Sequence, residues 1–362
     1  MNIKSSKIRS FSLGYCKDKN GLNKIKNILE KEKYDLIHIH MMLDIDWDIV
    51  NLLKNKYRYI VSLHDYYYIC PRIIMVDCNG QVCDKYDYNK CNNCISKIET
   101  FDTFRRGINK ICTSIGITPK YPKIKQKVTS IRYLKLKELL ENAELVLPVS
   151  NRVKEIYMNS GIEAKYKVLH IGNYSANSYK KFDPNKYVIK EDINLVVLGA
   201  LTYHKGAEVL LKILERITNK NIKIHFYGRA DKNYLQKLKD KGLIYHGKYS
   251  PNELNKILKN MDLGLVLSIW EDNAPQVVME LLNNNVPVIG TRRGGIPDFV
   301  STNNGYLFNP NSQLEINKVA DFLNCITVEQ IIKLKQNIKR TKTAEEHLRE
   351  LDLIYKELIK FN

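Results

Sequence analysis

The sequence predicts an α/β protein built from two parallel-sheet domains, and three observations carry this expectation. At 362 residues the chain is long for one hydrophobic core and suits two. Short β-rich apolar runs alternate with amphipathic helical stretches, the pattern of parallel strands joined by crossover helices. Between the halves, GNYSANSYKKFDPNK at 172–186 is polar and shows neither a strand nor a helix period, which marks a linker.

In the first half, LIHIH (36–40), YIVSL (59–63) and ELVLPVS (144–150) read as strands. In the second half NLVVLGAL, IKIHFYG, LGLVLSI and VPVIGT do so more clearly, each followed by a turn and then by helical periodicity or a loop. In GAEVLLKILERI, Val209, Leu210, Ile213, Leu214 and Ile217 fall on one helical face. The final stretch, HLRELDLIYKELIKFN, is an amphipathic helix with Leu351, Ile354, Tyr355 and Leu358 on one side. The expected division is 1–178 and 179–342, with a terminal helix over 343–362 that periodicity leaves free to pack back on the first domain.

Hydrophobic residues at 44% and charged residues at 27% describe an ordinary globular protein. No stretch reaches the roughly 18 apolar residues of a membrane span. The start, MNIKSSKIRSFSLGYC, carries positive charge but no apolar h-region, so a cytoplasmic protein is expected. The formal charge of +19 draws such a chain toward polyanions or phosphorylated small molecules. The excess gathers between Arg105 and Lys137, in RRGINK and PKYPKIKQKVTSIRYLKLK, where Ile124, Val128, Ile131 and Leu134 repeat at helical spacing. Such a segment either packs its apolar stripe on the domain core or lies on the anionic inner face of a membrane. Nucleic acid is disfavoured as a partner, because no recognisable module interleaves aromatic and basic residues.

Two segments of the second half carry chemistry. In LVVLGALTYHKGAEVLL a buried strand reaches Gly199, a loop carries His204 and Lys205, and a helix opens at Gly206. A helix N-terminus offers backbone N–H groups and partial positive charge, and a neighbouring Lys adds a cation for phosphate. In SIWEDNAPQVVMELLNNNVPVIGTRRGGIPDFV a strand runs into an acidic turn, and a helix holds Glu280 between apolar residues. A carboxylate in that setting needs a partner, which the paired hydroxyls of a ribose can supply. Arg292, Arg293, Gly294 and Gly295 then follow the next strand at the sheet edge where α/β folds bind ligands.

These residues resemble the C-terminal domain of the retaining GT-B glycosyltransferases, the large family 4 group. Its Gly-x5-Lys-Gly loop, Glu-x7-Glu motif and Gly-Gly-x-Pro-Glu turn stand here as 199–206, 272–280 and 294–298, with NGYLF (304–308) similar to the hairpin that follows. The resemblance implies two Rossmann-like domains facing across a cleft, with donor and acceptor meeting between them. It implies that Lys205 holds the donor diphosphate, Glu280 the ribose and Asp272 the donor sugar, with backbone near Asn273 and Ala274 approaching that sugar. Gly199, His204, Gly206, Gly294 and Gly295 complete the expected donor site. Asp272 replaces the usual Glu, beside Glu271, and Ala200 replaces a usual Arg, with Arg229, Arg292 or Arg293 as candidate replacement cations.

The first half is similar to the same family in YDLIHIHMM, VSLHDYYYICPR and LVLPVSNRVKEIYMNSGI. His40, His64 and Asp65 stand at expected strand ends, as sugar or acceptor contacts or as structural residues; His64 and Asp65 are the expected catalytic pair of this half. No Gly-rich loop precedes Leu36, so the N-terminal domain is expected to be incomplete, or completed by a partner glycosyltransferase chain. Eight cysteines read as thiols or metal ligands rather than disulfides. Cys70, Cys83, Cys91 and Cys94, in a Cys-rich insertion over 70–94, are spaced as a structural zinc site or as free thiols; such an insertion also recurs in part of the family.

The implied activity is transfer of a hexosyl unit from a UDP- or GDP-sugar to a glycan or lipid-linked acceptor, with retention and no catalytic metal. The alternative is a non-catalytic, partner-dependent subunit that binds nucleotide sugar.

Overall fold

The computed structural model describes residues 9–10, 15–16, 18–43, 45–99 and 127–360. Two compact units divide the chain, one of Met1–Leu169 with Leu353–Asn362 and one of His170–Asp352.

The first unit contains β1 (Arg9–Ser10), β2 (Tyr15–Cys16), α1 (Lys19–Lys31), β3 (Ile37–Ile39), α2 (Ile49–Lys56) and β4 (Tyr59–Leu63). It continues with α3 (Tyr88–Glu99), α4 (Lys127–Glu141), β5 (Leu145–Pro148) and α5 (Asn151–Asn159). Strands β3, β4 and β5 form a parallel sheet in that order, and β1 pairs with β2 antiparallel. All five residues of the central strand β4 are buried, as in a strand covered on both faces. Helix α5 starts at Ser150, whose hydroxyl accepts from the Val153 N–H and caps a group with no helical partner. The end of the terminal helix (Ala344–Lys360) belongs to this unit. Its Tyr355 hydroxyl is 2.6 Å from His38 Nδ1, and the Arg58 guanidinium donates to the Leu358 carbonyl at 2.7 Å.

Helix α4 turns a different face inward from the one periodicity suggests. Ile131 and Leu134 are exposed among the described residues, whereas Arg132, Leu136, Leu139 and Leu140 are buried. Three leucines at i, i+3 and i+4 outweigh the sparser stripe. Residues 105–126 of the basic segment, Ile124 among them, and the side chain of Val128 lie outside the described residues. Among the described residues no helix is long and apolar enough to cross a membrane.

The second unit runs β6 (Ile193–Leu201), α6 (Ala207–Leu214), β7 (Ile222–Ala230), α7 (Lys232–Asp240), β8 (Leu243–Gly247), α8 (Leu254–Leu258) and β9 (Leu263–Val266). Then follow α9 (Gln276–Asn283), β10 (Val288–Thr291), β11 (Gly305–Phe308), α10 (Gln313–Cys325), α11 (Val328–Gln336) and the terminal helix, α12. Six parallel strands lie in the order β11-β10-β9-β6-β7-β8, the Rossmann order with its reversal between β6 and β9. Alternation along β6 explains how one strand serves two cores. Leu195 and Val197 pack with Leu210 and Phe226 on one side, while Val196 and Leu198 pack with Val278 and Leu281 on the other.

Three details differ from the sequence expectation. Residues 305–308 are not half of a hairpin: β11 pairs parallel with β10 in the register Val288↔Gly305, because a turn through Ile296–Asp298 first carries the chain back along the sheet. Helix α6 stops at Leu214, short of Ile217, where Asn324 accepts from the Thr218 and Asn219 N–H groups. The polar stretch 172–186 forms two short 3₁₀ turns, Tyr174–Ser178 and Pro184–Lys186, and Asn283 donates to Ser175 Oγ at 2.9 Å.

Lys335 is a buried cation in this unit. Its ammonium donates to the carbonyls of Met261 and Asn285 at 3.1 Å each, and burial pulls its pKa down to about 8. Unfolded, the same group titrates at about 10.4. Between those values the unfolded chain holds more protons, so this group's contribution to stability rises as pH increases through the window. The urea midpoint of the wild type, relative to Lys335→Met, should therefore climb between pH 8 and pH 10. A constant difference would show that Lys335 is not buried as a weakened base.

Candidate nucleotide-sugar site

The strand-order reversal opens a cavity of about 300 Å³. Its walls are Gly199 and Ala200 from β6, Leu267 and Ser268 after β9, and residues 274–277 at the start of α9, with Lys205 and Asp272 as its charged lining. The loop entering α6 is fixed by backbone geometry. Gly206 has φ +86°, and a Cβ there would stand 2.0 Å from the Leu267 carbonyl oxygen, so only glycine lets loop and strand approach this closely. Helix α6 therefore starts at Ala207, and its positive end lies beside Lys205.

The acidic turn divides its work between two neighbours. Glu271 is 1% exposed and fully committed: Arg293 donates to one oxygen at 3.2 Å and the Gly294 N–H to the other at 2.8 Å. It holds the Gly294–Gly295 turn in place and does not stand in for the shortened Asp272. The Asp272 carbonyl accepts from Gly295 N–H at 2.7 Å, so the two turns are tied main chain to main chain. The Asp272 carboxylate turns instead to Lys205, whose Nζ donates at 2.5 Å, with Ser268 Oγ at 3.4 Å from the same oxygen. The Lys205 ammonium also lies 5.1 Å from the centroid of the Trp270 ring.

Glu280 is on α9, one turn beyond the cavity wall at Val277, and does not line the cavity itself. Its carboxyl is half-buried, makes no ion pair or side-chain hydrogen bond among the described residues, and is pushed up in pKa by burial alone. A carboxylate drawn from water without a partner is a cost that a ligand can relieve. Tyr249 lies near enough for Glu280 to add to the burial that raises its own pKa.

The candidate cations separate cleanly. Arg292 is paired with Glu315 and donates to the Leu307 carbonyl, and Arg293 is held by Glu271. Arg229 is exposed, makes no such contact among the described residues, and is the register partner of Ala200. Residues paired across neighbouring parallel strands point to the same face, so Arg229 stands beside Ala200 on one face of the sheet. His204 and Asn273 flank the two loops, and Asn273 is buried. The His204 carbonyl accepts from Ile269 N–H at 2.9 Å and fastens the loop before α6 to the segment after β9.

In the first unit, His64 and Asp65 follow the C-terminal end of β4. His64 Nε2 and His40 Nδ1 share a hydrogen bond at 2.9 Å, and both rings are exposed. Asp65 accepts from Tyr67 N–H at 2.7 Å, and burial raises its pKa against the opposing pull of that bond and of Arg132.

Comparison with known proteins identifies the family and the fold. The family of glycosyl transferases group 1 matches residues 180–341, and the glycosyl transferase 4-like family matches residues 1–81. The chain belongs to the GT-B glycosyltransferases of the family 4 type. It is 26% identical over 149 residues to a glycogen synthase of Clostridium beijerinckii, covering 37% of this chain and 31% of that one. It is 32% identical over 110 residues to an uncharacterised glycosyltransferase of Methanocaldococcus jannaschii, covering 29% and 27% of the two chains. The chain thus spans about 30% of the length of these two curated relatives. Its fold is similar to a glycosyltransferase from Rickettsia africae (TM-score 0.62, 16% identity, 100% of this chain and 85% of that one). It is also similar to HepE of Anabaena solved with UDP (TM-score 0.61, 14% identity, 93% and 82%).

The Cys-rich segment of this GT-B chain folds around a second, much smaller space. Cys70, Cys83, Cys91 and Cys94 line one cavity of about 20 Å³, together with Arg72, Asp77 and Lys90. Burial, helped by the neighbouring thiols, pushes Cys91 up to about 12 and Cys94 up to about 11. Among the described residues no three His, Cys, Asp or Glu side chains stand in an arrangement that holds a metal ion. Beside the cluster lies Arg132, 1% exposed, which donates to the Tyr67 carbonyl and stacks 4.7 Å over the Tyr67 ring. Nothing in the spacing of α4 signals that buried cation, nor do the motifs signal Ser268 and Trp270 around Lys205.

Proposed function

We propose that this chain is a retaining hexosyltransferase that takes a UDP- or GDP-sugar as donor and a glycan or lipid-linked acceptor. The observation that carries the reading is the conjunction at the β6–β9 reversal: a cavity with one lysine beside a helix N-terminus, and an unpaired, half-buried Glu280 one turn past its wall. A nucleoside diphosphate answers both features. Its phosphates take Lys205, the α6 N-terminus and Arg229, and its ribose hydroxyls donate to Glu280. That the Anabaena neighbour was solved with UDP and with UDP-glucose supports a donor of this class.

In the chemical step the leaving diphosphate gathers charge, and Lys205 with the helix N-terminus stabilises it without a metal or a covalent nucleophile. Asp272 is proposed to contact the donor sugar, with the Asn273 and Ala274 backbone beside it. His64 and Asp65 are proposed as sugar- or acceptor-contacting residues. The exposed Ile131 and Leu134 of α4 support peripheral attachment at the cytoplasmic membrane face, where lipid-linked acceptors reside.

The test is release of nucleotide from a panel of UDP- and GDP-hexoses, with and without a lipid-linked or glycan acceptor extract. Release accelerated by the acceptor, and lost in Glu280→Ala, is the expected result. Binding without release by the chain alone favours the partner-dependent subunit. Release that Glu280→Ala leaves unchanged removes the site.

The thiol cavity supports a second, structural proposal: one zinc ion that would draw together Cys70, Cys83, Cys91 and Cys94, which line the cavity but do not stand at ligand geometry without it. The cavity has room for about one small sphere, and a tetrathiolate zinc site carries excess negative charge that Arg72 and the buried Arg132 offset, Lys90 being paired with Asp77. Metal analysis should find one zinc per chain and its loss in Cys91→Ser. Metal-free wild-type protein with all thiols open to reagent would leave the cluster as free thiols.

A further inference from the structure

We infer that Asp272 is a counter-ion seated where the donor's diphosphate binds, so that the site distinguishes a nucleotide sugar from the nucleoside diphosphate left after transfer. This rests on the proposed nucleotide-sugar reading of the cavity and specifies what its two charged residues do to each other. Lys205 is the cation of the cavity lining and Asp272 its carboxylate, and the two are joined at 2.5 Å. The lining is therefore neutral as it stands, and a diphosphate that binds there competes with the carboxylate for the lysine.

The geometry restricts how that exchange happens. The Asp272 main chain is pinned at both ends, its N–H donating to the Trp270 carbonyl at 2.9 Å and its carbonyl accepting from Gly295 N–H at 2.7 Å. The Trp270 ring also lies against the Lys205 ammonium. The residue thus stays in place and only its short side chain can rotate off Lys205 and Ser268. Once displaced, the carboxylate is an acceptor without a donor, close to phosphate of the same sign. A nucleotide sugar brings the sugar's hydroxyl donors to it; a free nucleoside diphosphate, whose ribose hydroxyls go to Glu280, does not. The exchange favours the substrate, and after transfer the returning Asp272 helps to expel the product.

The experiment is calorimetric titration of UDP and UDP-glucose, and of GDP and GDP-mannose in parallel, into the wild type, Asp272→Asn, Asp272→Ala and Lys205→Ala. The wild type should prefer the nucleotide sugar by about tenfold or more, the equivalent of one such charged contact. Both Asp272 variants should bind the nucleoside diphosphate about tenfold more tightly than the wild type, narrow the preference, and show stronger product inhibition in transfer. Lys205→Ala should weaken both ligands. Wild-type binding of nucleotide sugar with no tightening of nucleoside diphosphate in either Asp272 variant overturns this inference and leaves the donor site standing. No binding of any ligand by wild type or variants removes the nucleotide-sugar reading and this inference with it.

Discussion

Glu280→Ala should weaken nucleotide-sugar binding by about two orders of magnitude or more while making the unliganded protein more stable. Two charge-assisted hydrogen bonds from a ribose are worth about 1.5–3 kcal/mol each, and their joint loss exceeds that hundredfold change. The opposite sign for stability follows from burial. The carboxyl is raised in pKa by desolvation with no compensating partner, so its ionised form is a liability in the empty protein. That liability is present above the raised pKa and fades as pH falls through it, because the folded state then holds the additional proton. Thermal unfolding at pH 7 and at pH 4, with titration of the donor at pH 7, reads both effects. A variant that loses stability and keeps affinity would make Glu280 a structural residue.

Gly294→Ala should be among the most damaging single methyl groups in the second unit. Gly294 has φ +52°, and a Cβ there would lie 1.9 Å from the Asp272 carbonyl oxygen and 2.4 Å from its nitrogen. Neither is the end of a flexible side chain, so the turn itself must shift. The bonds from Gly294 N–H to Glu271 and from Gly295 N–H to Asp272 go with it, leaving the buried Glu271 carboxylate short of a donor. Backbone strain of about 1–3 kcal/mol adds to that loss. Gly242→Ala is the control, since Gly242 has φ +94° but nothing within 4 Å of the added atom. The urea midpoint should fall far more for Gly294→Ala than for Gly242→Ala, and equal falls would mean that the turn tolerates a side chain.

Much of the second unit was legible because its strands are apolar runs with clear period and its loops carry residues that only particular backbones accept. Gly199, Gly206, Gly228 and Gly294 all have positive φ, and three of them meet neighbouring backbone that leaves no space for a side chain. What spacing does not reveal is pairing between distant segments. Lys205 and Asp272 are 67 residues apart, and their ion pair depends on where the β6 and β9 loops end. Likewise Glu271 looks like a spare for Asp272 until Arg293 and Gly294 are seen to consume it. Arg229 emerges among three candidate arginines only through its register with Ala200. In the first unit the strands are short and Arg132 sits inside a helix whose pattern suggests a different buried face, so periodicity pointed to Ile131 and Leu134.

Thermal shift against a panel of UDP-, GDP- and ADP-sugars is the direct test of the β6–β9 cavity with Glu280 as a nucleotide-sugar site. At a concentration near 100 Kd, a ligand bound only by the folded state adds about 2.7 kcal/mol of stability, several degrees for a chain of this kind. At least one UDP- or GDP-hexose should produce such a shift, and Lys205→Ala and Glu280→Ala should each abolish it. No stabilisation of the wild type by any member of the panel would contradict the nucleotide-sugar reading.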